Sequence, residues 1–498
     1  MLKNLIIHPF FFSLFPVLFI FQHNIHEVPL HDIFLPLSIT VILIFVVWII
    51  LRFFLKNGKK SGLILSLIII MFILYANLHI LILNSESEFA FLGKNIILGG
   101  IFSGLVIIGI IYFVKTRRVL DNANSITNVI SLSLIGFLVI GISGYYFENS
   151  ADDSALYFLK DLPSSTNTES IKPDIYFFIF DEYAGRITLE NDFGFDNSKF
   201  LKELQDRGFY VPDISYSNYP NSDHSDTSVL NMGYLGFLTE ILGTDSKDMR
   251  IPTEIKNNSL VMNVLKLHDY KIVSFYGGYG AIGNTKLVDE KLCSYMGINN
   301  DLRTNLILTY LPITKFNTDL IHGHQREKIE CVFSTAPNIQ GTDESPVFVL
   351  SHLLLPHHPY IYDSEGNSVE AREWGDKEAY LDQLQYTNLR ILGLVDKILE
   401  NSNKESVIII TSDHGFRPGI DWENPSNEHY RAAFNNLGAY YLPSKMDDLP
   451  ERISGVNIFR IIFNSYLDTD YEMLDDEQYW YNSEKPFDYK NISEKLFK

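Results

Sequence analysis

Residues 33–51 read IFLPLSITVILIFVVWIIL, a run without a single Asp, Glu, Lys or Arg. A helix of about 20 such residues spans the ~30 Å hydrocarbon core of a bilayer. Soluble helices of this length show a polar face, and this run shows none. Four more apolar runs of similar length lie at 4–22, 61–83, 95–114 and 125–147. The pattern therefore predicts an α-helical bundle of about five transmembrane spans over residues 1–147.

The connections between these runs set the expected orientation. Residues 52–60 and 115–118 are basic, whereas the alternate connections, 23–32 and 84–94, are acidic. Basic connections are retained in the cytoplasm. We therefore expect a multi-pass protein of the cytoplasmic membrane with a cytoplasmic N-terminus. An odd number of spans then places everything after residue 147 outside.

Charge separates the two parts of the chain. Residues 1–147 carry nine Lys or Arg and five Asp or Glu, a balance of +4, while the whole chain stands at −20. Residues 148–498 therefore carry −24, and we expect no nucleic-acid partner because such binding needs basic surface. The two cysteines, Cys293 and Cys331, are too few for a zinc-finger or iron–sulfur framework. They form either one disulfide or two separate thiols.

The remaining residues predict a linker and one large domain. Residues 148–172 are rich in Ser, Asp, Asn and Thr, which is typical of a tether. Over 173–498, short apolar runs alternate with amphipathic stretches, which predicts an α/β domain with a mainly parallel central sheet. The expected strands are Ile175–Phe180, Lys271–Phe275, Val347–Leu350, Val407–Ile410 and Ala439–Leu442. Helices are expected at 197–207 and 380–399.

Metal-ligand residue types follow three of these strands. They are Asp181-Glu182 after the first strand, His352 and His357 after the third, and Asp413-His414 after the fourth. In open parallel sheets, ligands bind beyond the carboxyl ends of the strands. Each residue alone is as well explained by a turn or a helix cap. Their convergence on one rim of the sheet indicates a metal site.

A serine near this rim is a candidate nucleophile. Residues 216–227 read YSNYPNSDHSDT and lead into an apolar helical stretch, which places Ser222 at or just before a helix N-terminus. The helix dipole and its N–H groups favour an anion there. A metal ion next to the hydroxyl would favour the alkoxide. The alternative is a helix-capping serine without chemistry.

These residues resemble the sulfatase and alkaline phosphatase superfamily, in its membrane-anchored branch with lipoteichoic acid synthase and the lipid A phosphoethanolamine transferases. The resemblance covers roughly 172–445 and the architecture of the first 147 residues. It implies a sulfatase-like domain that binds one divalent ion, Zn²⁺ or Mn²⁺. The implied metal ligands are Asp181, Ser222, Asp413 and His414.

The resemblance also implies roles for other residues. Ser222 matches the nucleophile, and His357 matches the histidine that contacts the substrate phosphate. His429 is matched to a further histidine of the transferases, whereas His352 and Glu182 are neighbours without a counterpart.

The implied function is a metal-dependent phosphotransferase or phosphodiesterase that acts on membrane lipid head groups or envelope polymers. Two alternatives stay open: a sulfatase without formylglycine, and a non-catalytic envelope protein that keeps the fold. Sulfatases that make formylglycine have Pro two residues and Arg four residues after the oxidised residue. His224 and Asp226 occupy those positions here, so we do not expect oxidative maturation.

Overall fold

The computed structural model describes residues 4–25, 30–83, 95–148, 153–163, 172–276, 285–293, 318–443, 445 and 449–497. The chain forms two compact units. The first includes residues 1–151, and the second includes residues 152–302 and 319–498. The expected boundaries at 147 and 172 stay a prediction, and residues 149–152 and 164–171 of the expected linker lie outside the described residues.

All five apolar runs form helices in the first unit. They are α1 (His8–His23), α2 (Phe34–Leu55), α3 (Gly58–Leu83), α4 (Asn95–Lys115) and α5 (Asp121–Glu148). By length and composition, α2 to α5 are able to cross a membrane. Helix α1 has 16 residues and is shorter than those four. At 1.5 Å per residue it reaches about 24 Å, so the expected fifth span stays a prediction.

The second unit is built on a six-stranded sheet in the order β3-β2-β4-β1-β7-β8. Its strands are β1 (Asp174–Phe180), β2 (Lys271–Phe275), β3 (Glu290–Leu292), β4 (Val347–Leu353), β7 (Ser406–Thr411) and β8 (Gly438–Tyr441). Every pairing is parallel except that of β7 with the edge strand β8. The five predicted strands are confirmed, with ends that differ by up to three residues.

Two short hairpins and a set of helices surround this sheet. The hairpins pair β5 (Tyr360–Tyr362) with β6 (Ser368–Arg372), and β9 (Tyr479–Asn482) with β10 (Lys485–Asn491). The helices are α6 (Arg186–Phe193), α7 (Ser198–Asp206), α8 (Ser222–Leu230), α9 (Phe237–Leu242), α10 (Arg250–Asn257), α11 (Leu260–Leu267), α12 (Thr318–Thr335), α13 (Lys377–Asn401), α14 (Asn427–Phe434), α15 (Ile458–Tyr466) and α16 (Ser493–Leu496). Helices α7 and α13 match the two helices expected from the sequence.

Both faces of the sheet are buried. Ile175, Phe177 and Ile179 of β1 belong to one hydrophobic cluster, whereas Tyr176 and Phe178 belong to another. Successive side chains of a strand point to opposite faces, so the two clusters cover the two faces. This explains why β1 reads as a continuous apolar run. The rigid sheet fixes where the residues after each strand begin.

Part of the expected linker packs as structure. Asp153–Asp161 forms a 3₁₀ helix, and Phe158 is buried in the domain core. Tyr157 stacks on Phe237 of α9 with ring centroids 3.8 Å apart. This segment therefore belongs to the folded unit that carries the sheet.

Cys293 and Cys331 form a disulfide, with Cα atoms 5.7 Å apart. Cys293 directly follows β3, and Cys331 lies on α12. The bridge joins the sheet edge to a helix. The sequence left open whether the two cysteines form a disulfide or two separate thiols, and the structure has the disulfide.

Candidate metal centre

Three adjacent strands bring acidic and imidazole side chains to one rim of the sheet. Strand β1 lies between β4 and β7, and all three run in parallel. Asp181 directly follows β1, His352 is the penultimate residue of β4, and Asp413 lies two residues after β7. The carboxyl ends of parallel strands meet at one edge, so these side chains converge.

The three side chains form one compact group. One ligand atom each from Asp181, His352 and Asp413 lies within 4.8 Å of the other two. The Nε2 atom of His352 lies 3.5 Å from Asp181 Oδ2 and 3.6 Å from Asp413 Oδ2. All three residues are at most 3% exposed. Two carboxylates and an imidazole this close together form a ligand set suited to Zn²⁺ and related divalent ions.

The polar atoms of this group are unsatisfied. Among the described residues, Asp181 Oδ1, His352 Nε2 and Asp413 Oδ2 have no hydrogen-bond partner. A buried polar group without a partner costs roughly 1–3 kcal/mol, and more when it is charged. Three such atoms in one place fit a bound cation, which would accept a lone pair from each.

The charges of the group demand a positive charge at its centre. Burial lowers the pKa of His352, but the carboxylates of Asp226, Asp181 and Asp413 outweigh burial and raise this pKa well above its usual range. Burial raises the pKa of Asp181, but His357, His352 and His414 bring it well below its usual range. A proton on His352 or a metal ion would supply this charge.

His414 presents one nitrogen to the same group. Its Nδ1 lies 2.8 Å from the carbonyl oxygen of Gly415 and donates to it, which leaves the lone pair on Nε2. That Nε2 lies 3.3 Å from Asp413 Oδ2 and 3.6 Å from Asp181 Oδ1. Burial lowers the pKa of His414, which keeps its imidazole neutral and able to bind a metal. His414 Nε2 thus faces the two carboxylates of the group, and its role as a metal ligand stays a prediction.

Ser222 reaches the group from a different element. It is the first residue of α8, and Asn221 caps that helix by accepting from the backbone N–H of His224. Ser222 Oγ lies 3.4 Å from His414 Nε2. The first N–H groups of a helix have no carbonyl partner within it, so the positive end of α8 lies at this hydroxyl.

Two further hydroxyl-bearing residues of α8, Ser225 and Thr227, are close to Ser222 in sequence. Thr227 Oγ1 donates to the backbone carbonyls of Asp223 and Pro252. Neither Ser225 nor Thr227 lines the cavity next to the metal-ligand group, whereas Ser222 does. Of the three residues Ser222, Ser225 and Thr227, only Ser222 lines the cavity.

A cavity of about 320 Å³ opens beside the group. Its lining residues are Asp181, Asn221, Ser222, Asp223, His357, His358, Trp374 and Arg417. Burial lowers the pKa of His357, but Asp181 and Glu182 raise it overall, which favours an imidazolium at the cavity. The cavity combines a hydroxyl, two histidines and an arginine, and this set suits an anionic substrate.

Two of the sequence-predicted residues lie outside the ligand group. Glu182 is fully buried, and its carboxylate accepts from Trp374 Nε1 and from the backbone N–H of Arg417. His429 lies in the first turn of α14, where it forms a reciprocal capping box with Ser426. Its observed contacts are those of a helix cap.

The site also includes Asp226, Trp374 and Arg417, which were not predicted from the sequence. Asp226 Oδ2 accepts from His352 Nδ1 at 2.9 Å, which leaves the lone pair of Nε2 for a metal. A helical signal pointed to Asp226, because it lies four residues after Ser222 and therefore on the same face of α8. No comparable periodic signal marks Trp374 or Arg417.

No protein-family model matches the sequence, and no curated protein matches it. Solved structures with similarity include the C-terminal periplasmic domain of EcEptC from Escherichia coli, at 15% identity and a TM-score of 0.42, over 67% of this chain and 97% of that one. The same domain in complex with Zn matches at 14% identity and a TM-score of 0.40, with the same coverage.

An integral membrane protein is also similar. It is the lipooligosaccharide phosphoethanolamine transferase A (EptA) from Neisseria meningitidis, at 11% identity and a TM-score of 0.36, over 89% of each chain. Phosphoethanolamine transferases are thus among the proteins that this chain resembles.

Proposed function

We propose that this chain is a metal-dependent phosphotransferase or phosphodiesterase that uses Ser222 as its nucleophile. The observation that carries the proposal is the set of three buried, unpartnered ligand atoms of Asp181, His352 and Asp413 in the described part of the chain. Ser222 lies at the edge of this set, 3.4 Å from His414. A hydroxyl, metal ligands and an anion-accepting cavity together suit transfer of a phosphoryl group.

The residues of the group would hold one divalent ion, Zn²⁺ or Mn²⁺. Asp181, His352, Asp413 and His414 would bind it, with the Ser222 hydroxyl next to it. When bound, such an ion lowers the pKa of an adjacent hydroxyl and neutralises charge on phosphoryl oxygens. His352 is an addition to the ligand set that the family resemblance implied.

The reaction would proceed in two displacements. Ser222 gives its hydroxyl proton to solvent, from which His357 is later reprotonated, and Oγ forms a bond to phosphorus while the bond from phosphorus to the leaving oxygen breaks. His357 gives the leaving oxygen a proton, which suits the raised pKa of His357. Water or an acceptor hydroxyl then takes the phosphoryl group from Ser222 and restores its hydroxyl.

The proposed substrate is a phosphodiester of a membrane lipid head group or an envelope polymer. In the described part of the chain, four helices are long and apolar enough to cross a membrane, so the enzyme would be held at its substrate. Lys59 pairs with Asp121, and Lys60 donates to the carbonyls of Val114 and Thr116. The two basic connections therefore meet at one end of the bundle, which suits a cytoplasmic end.

The disulfide supports an extracytoplasmic catalytic domain. Disulfides persist in oxidising compartments and are rare in the cytosol. The Cys293–Cys331 bridge lies in the unit that carries the site. We therefore propose that the α/β domain acts on the outer side of the membrane.

The first prediction tests the nucleophile. Ser222→Ala in the full-length protein should lower hydrolysis of bis(p-nitrophenyl) phosphate by roughly 10³-fold or more, because the attacking oxygen is lost. Mass spectrometry of the unsubstituted protein after incubation with membrane lipids should show a phosphoryl adduct on Ser222. An assay with p-nitrophenyl sulfate separates the phosphodiesterase from the sulfatase.

Ser225→Ala is the matched control. It removes a buried hydroxyl three residues further along α8 that does not line the cavity, and it should leave the rate unchanged. Full activity of the Ser222→Ala protein would eliminate this nucleophile. A protein that binds no divalent ion under any condition would favour the non-catalytic alternative.

A further inference from the structure

Glu182 has a backbone conformation that residues other than glycine rarely adopt. Its φ angle is +58°, in the left-handed region, and it directly follows Asp181. This conformation costs a residue with a Cβ atom roughly 1 kcal/mol or more, and a glycine would avoid most of that cost. Glu182 is nevertheless fully buried, and charged side chains are rarely buried without partners. The contacts of its side chain should therefore account for this burial and this backbone strain.

The Glu182 carboxylate is held between three cavity residues. Oε1 accepts from the backbone N–H of Arg417 at 3.1 Å and lies 3.9 Å from Arg417 Nε. Oε2 accepts from Trp374 Nε1 at 3.0 Å and lies 3.7 Å from His357 Nε2. Both carboxylate oxygens are thus used by groups of the cavity wall.

The backbone of Glu182 ties this wall to the metal-ligand group. Its N–H donates to Asp413 Oδ1 at 3.1 Å, and its carbonyl accepts from Tyr380 Oη at 2.9 Å. One residue therefore connects a proposed metal ligand with the side chains on the cavity surface. Glu182 itself is absent from that surface, so it acts through its partners.

The wall is suited to an oxyanion. Arg417 Nε is buried and has no hydrogen-bond partner within the described residues, although Arg417 lines the cavity. His357 lines the same cavity, with its Nε2 3.7 Å from Glu182 Oε2. The cavity residue Asp223 is paired with Lys256 at 2.9 Å, which offsets its charge. A tetrahedral anion in the cavity would offer acceptor oxygens to the guanidinium of Arg417.

We propose that Glu182 is a positioning residue and that it aligns His357, Trp374 and Arg417 as an anion wall, in which the Arg417 guanidinium binds non-bridging oxygens of the substrate's phosphoryl group and His357 faces its leaving oxygen. This inference rests on the proposed function, because it assigns the part of the site that recognises the phosphoryl group. It gives Glu182 a role other than metal binding and makes Arg417 a substrate-binding residue.

A carboxylate is required here because both of its oxygens accept. A glutamine side chain has one acceptor oxygen and one NH₂ donor. In Glu182→Gln, either Trp374 Nε1 or the backbone N–H of Arg417 would therefore face a donor. The wall would lose its alignment even though the shape of the side chain is kept.

The test measures inorganic phosphate binding to the full-length, Zn²⁺-loaded protein in detergent by titration calorimetry. Glu182→Gln should weaken phosphate binding by about 10-fold or more, while the protein keeps its Zn²⁺ content. If Glu182 acted only through its charge, its removal would strengthen phosphate binding. The sign of the change therefore distinguishes positioning from a field effect.

A double-mutant cycle tests whether Glu182 acts through Arg417. Arg417→Gln should itself weaken phosphate binding by roughly 10-fold or more, because a charge-assisted contact is lost. In the Arg417→Gln background, the added effect of Glu182→Gln should shrink, since residues that act as a unit are not additive. Fully additive effects would contradict the inference.

Two further variants guard against a general folding defect. Glu182→Gly removes the carboxylate but relieves the backbone strain, so the protein should fold. Its phosphate binding should nevertheless be weakened, as in Glu182→Gln. Asp248→Asn removes a comparably buried carboxylate, paired with Arg250 and absent from the cavity lining, and should bind phosphate normally.

The outcomes separate the two proposals. Loss of Zn²⁺ from a folded Glu182→Gln protein would make Glu182 a metal ligand and overturn the inference. Unchanged phosphate affinity in that variant would overturn it as well. Absence of phosphate binding by the unsubstituted protein would instead contradict the proposed function.

Discussion

The helical bundle and the α/β domain each bury a histidine among polar side chains, and the two clusters differ in how they are satisfied. In the bundle, His8 Nδ1 lies 2.5 Å from Ser66 Oγ, and Nε2 lies 3.3 Å from Asn124 Oδ1. Asn128 Oδ1 accepts from the backbone N–H groups of Ile7 and His8. The backbone N–H and both ring nitrogens of that histidine therefore have a protein partner.

In the α/β domain, one ring nitrogen of the buried histidine has no hydrogen-bond partner among the described residues. His352 Nδ1 donates to Asp226, but its Nε2 faces Asp181 and Asp413 at distances beyond a hydrogen bond. Neutral Ser and Asn side chains complete the first cluster, whereas the second has three carboxylates. A satisfied neutral cluster holds helices together, and an unsatisfied charged one is suited to bind something.

The largest expected effect comes from a substitution in the second cluster, the one around His352. Asp413→Asn keeps the Oδ1 acceptor for His414 N and Glu182 N but replaces the unpartnered Oδ2 with an amide. Loss of this ligand should weaken divalent-metal binding by more than about 100-fold. Metal content by atomic emission and phosphodiesterase rate should both fall.

The same variant should not lose stability. In the metal-free protein, Asp413→Asn removes one of several buried negative charges, so its thermal midpoint should stay the same or rise. A large fall in that midpoint would mean that Asp413 serves the fold, and the contrast between the two clusters would disappear.

A smaller effect is expected one step away from the metal. Asp226→Asn should weaken metal binding by roughly 10–100-fold, because Asp226 fixes which nitrogen of His352 carries the proton. Competition with a chromophoric chelator measures this affinity. At saturating metal, phosphodiesterase activity should largely return, which a direct ligand such as Asp413 would not allow. Unchanged affinity would remove Asp226 from the site.

The smallest effect is expected in the bundle. Asn128→Ala leaves the N–H groups of Ile7 and His8 without their acceptor and should cost about 1 kcal/mol of stability in detergent. Metal affinity should not change. Asn77→Ala is the matched control, because exposed Asn77 bonds only to the carbonyl of Ile73 within its own helix as far as the described contacts show. Equal losses in both variants would contradict a structural role for the buried cluster.

Much of the architecture was predictable from local patterns. The uncharged runs gave the bundle helices, and the short apolar runs gave the five main strands of the sheet. Asp181 and the Asp413-His414 pair were predictable because Asp181 directly follows a buried strand and the pair begins two residues after another. Ser222 was predictable from the helix that it begins.

Other features depend on contacts between residues distant in sequence. The strand Glu290–Leu292 has three residues and carries no periodic signal. His352 was noted but not ranked as a ligand, because its proximity to Asp181 and Asp413 follows from the order of the strands. The Glu182 carboxylate accepts hydrogen bonds from Trp374 and Arg417, each about 200 residues away in sequence. Local patterns do not reveal such long-range contacts.

The bridge between Cys293 and Cys331 closes the intervening stretch of chain into a covalent ring. A protease that cuts one peptide bond inside that ring severs the backbone but leaves a single molecule. The sheet edge and the helix stay tethered until a reductant opens the bridge. After such a cut, the disulfide would keep the two pieces linked in the oxidising space outside a cell. The pieces would separate covalently wherever thiols are kept reduced.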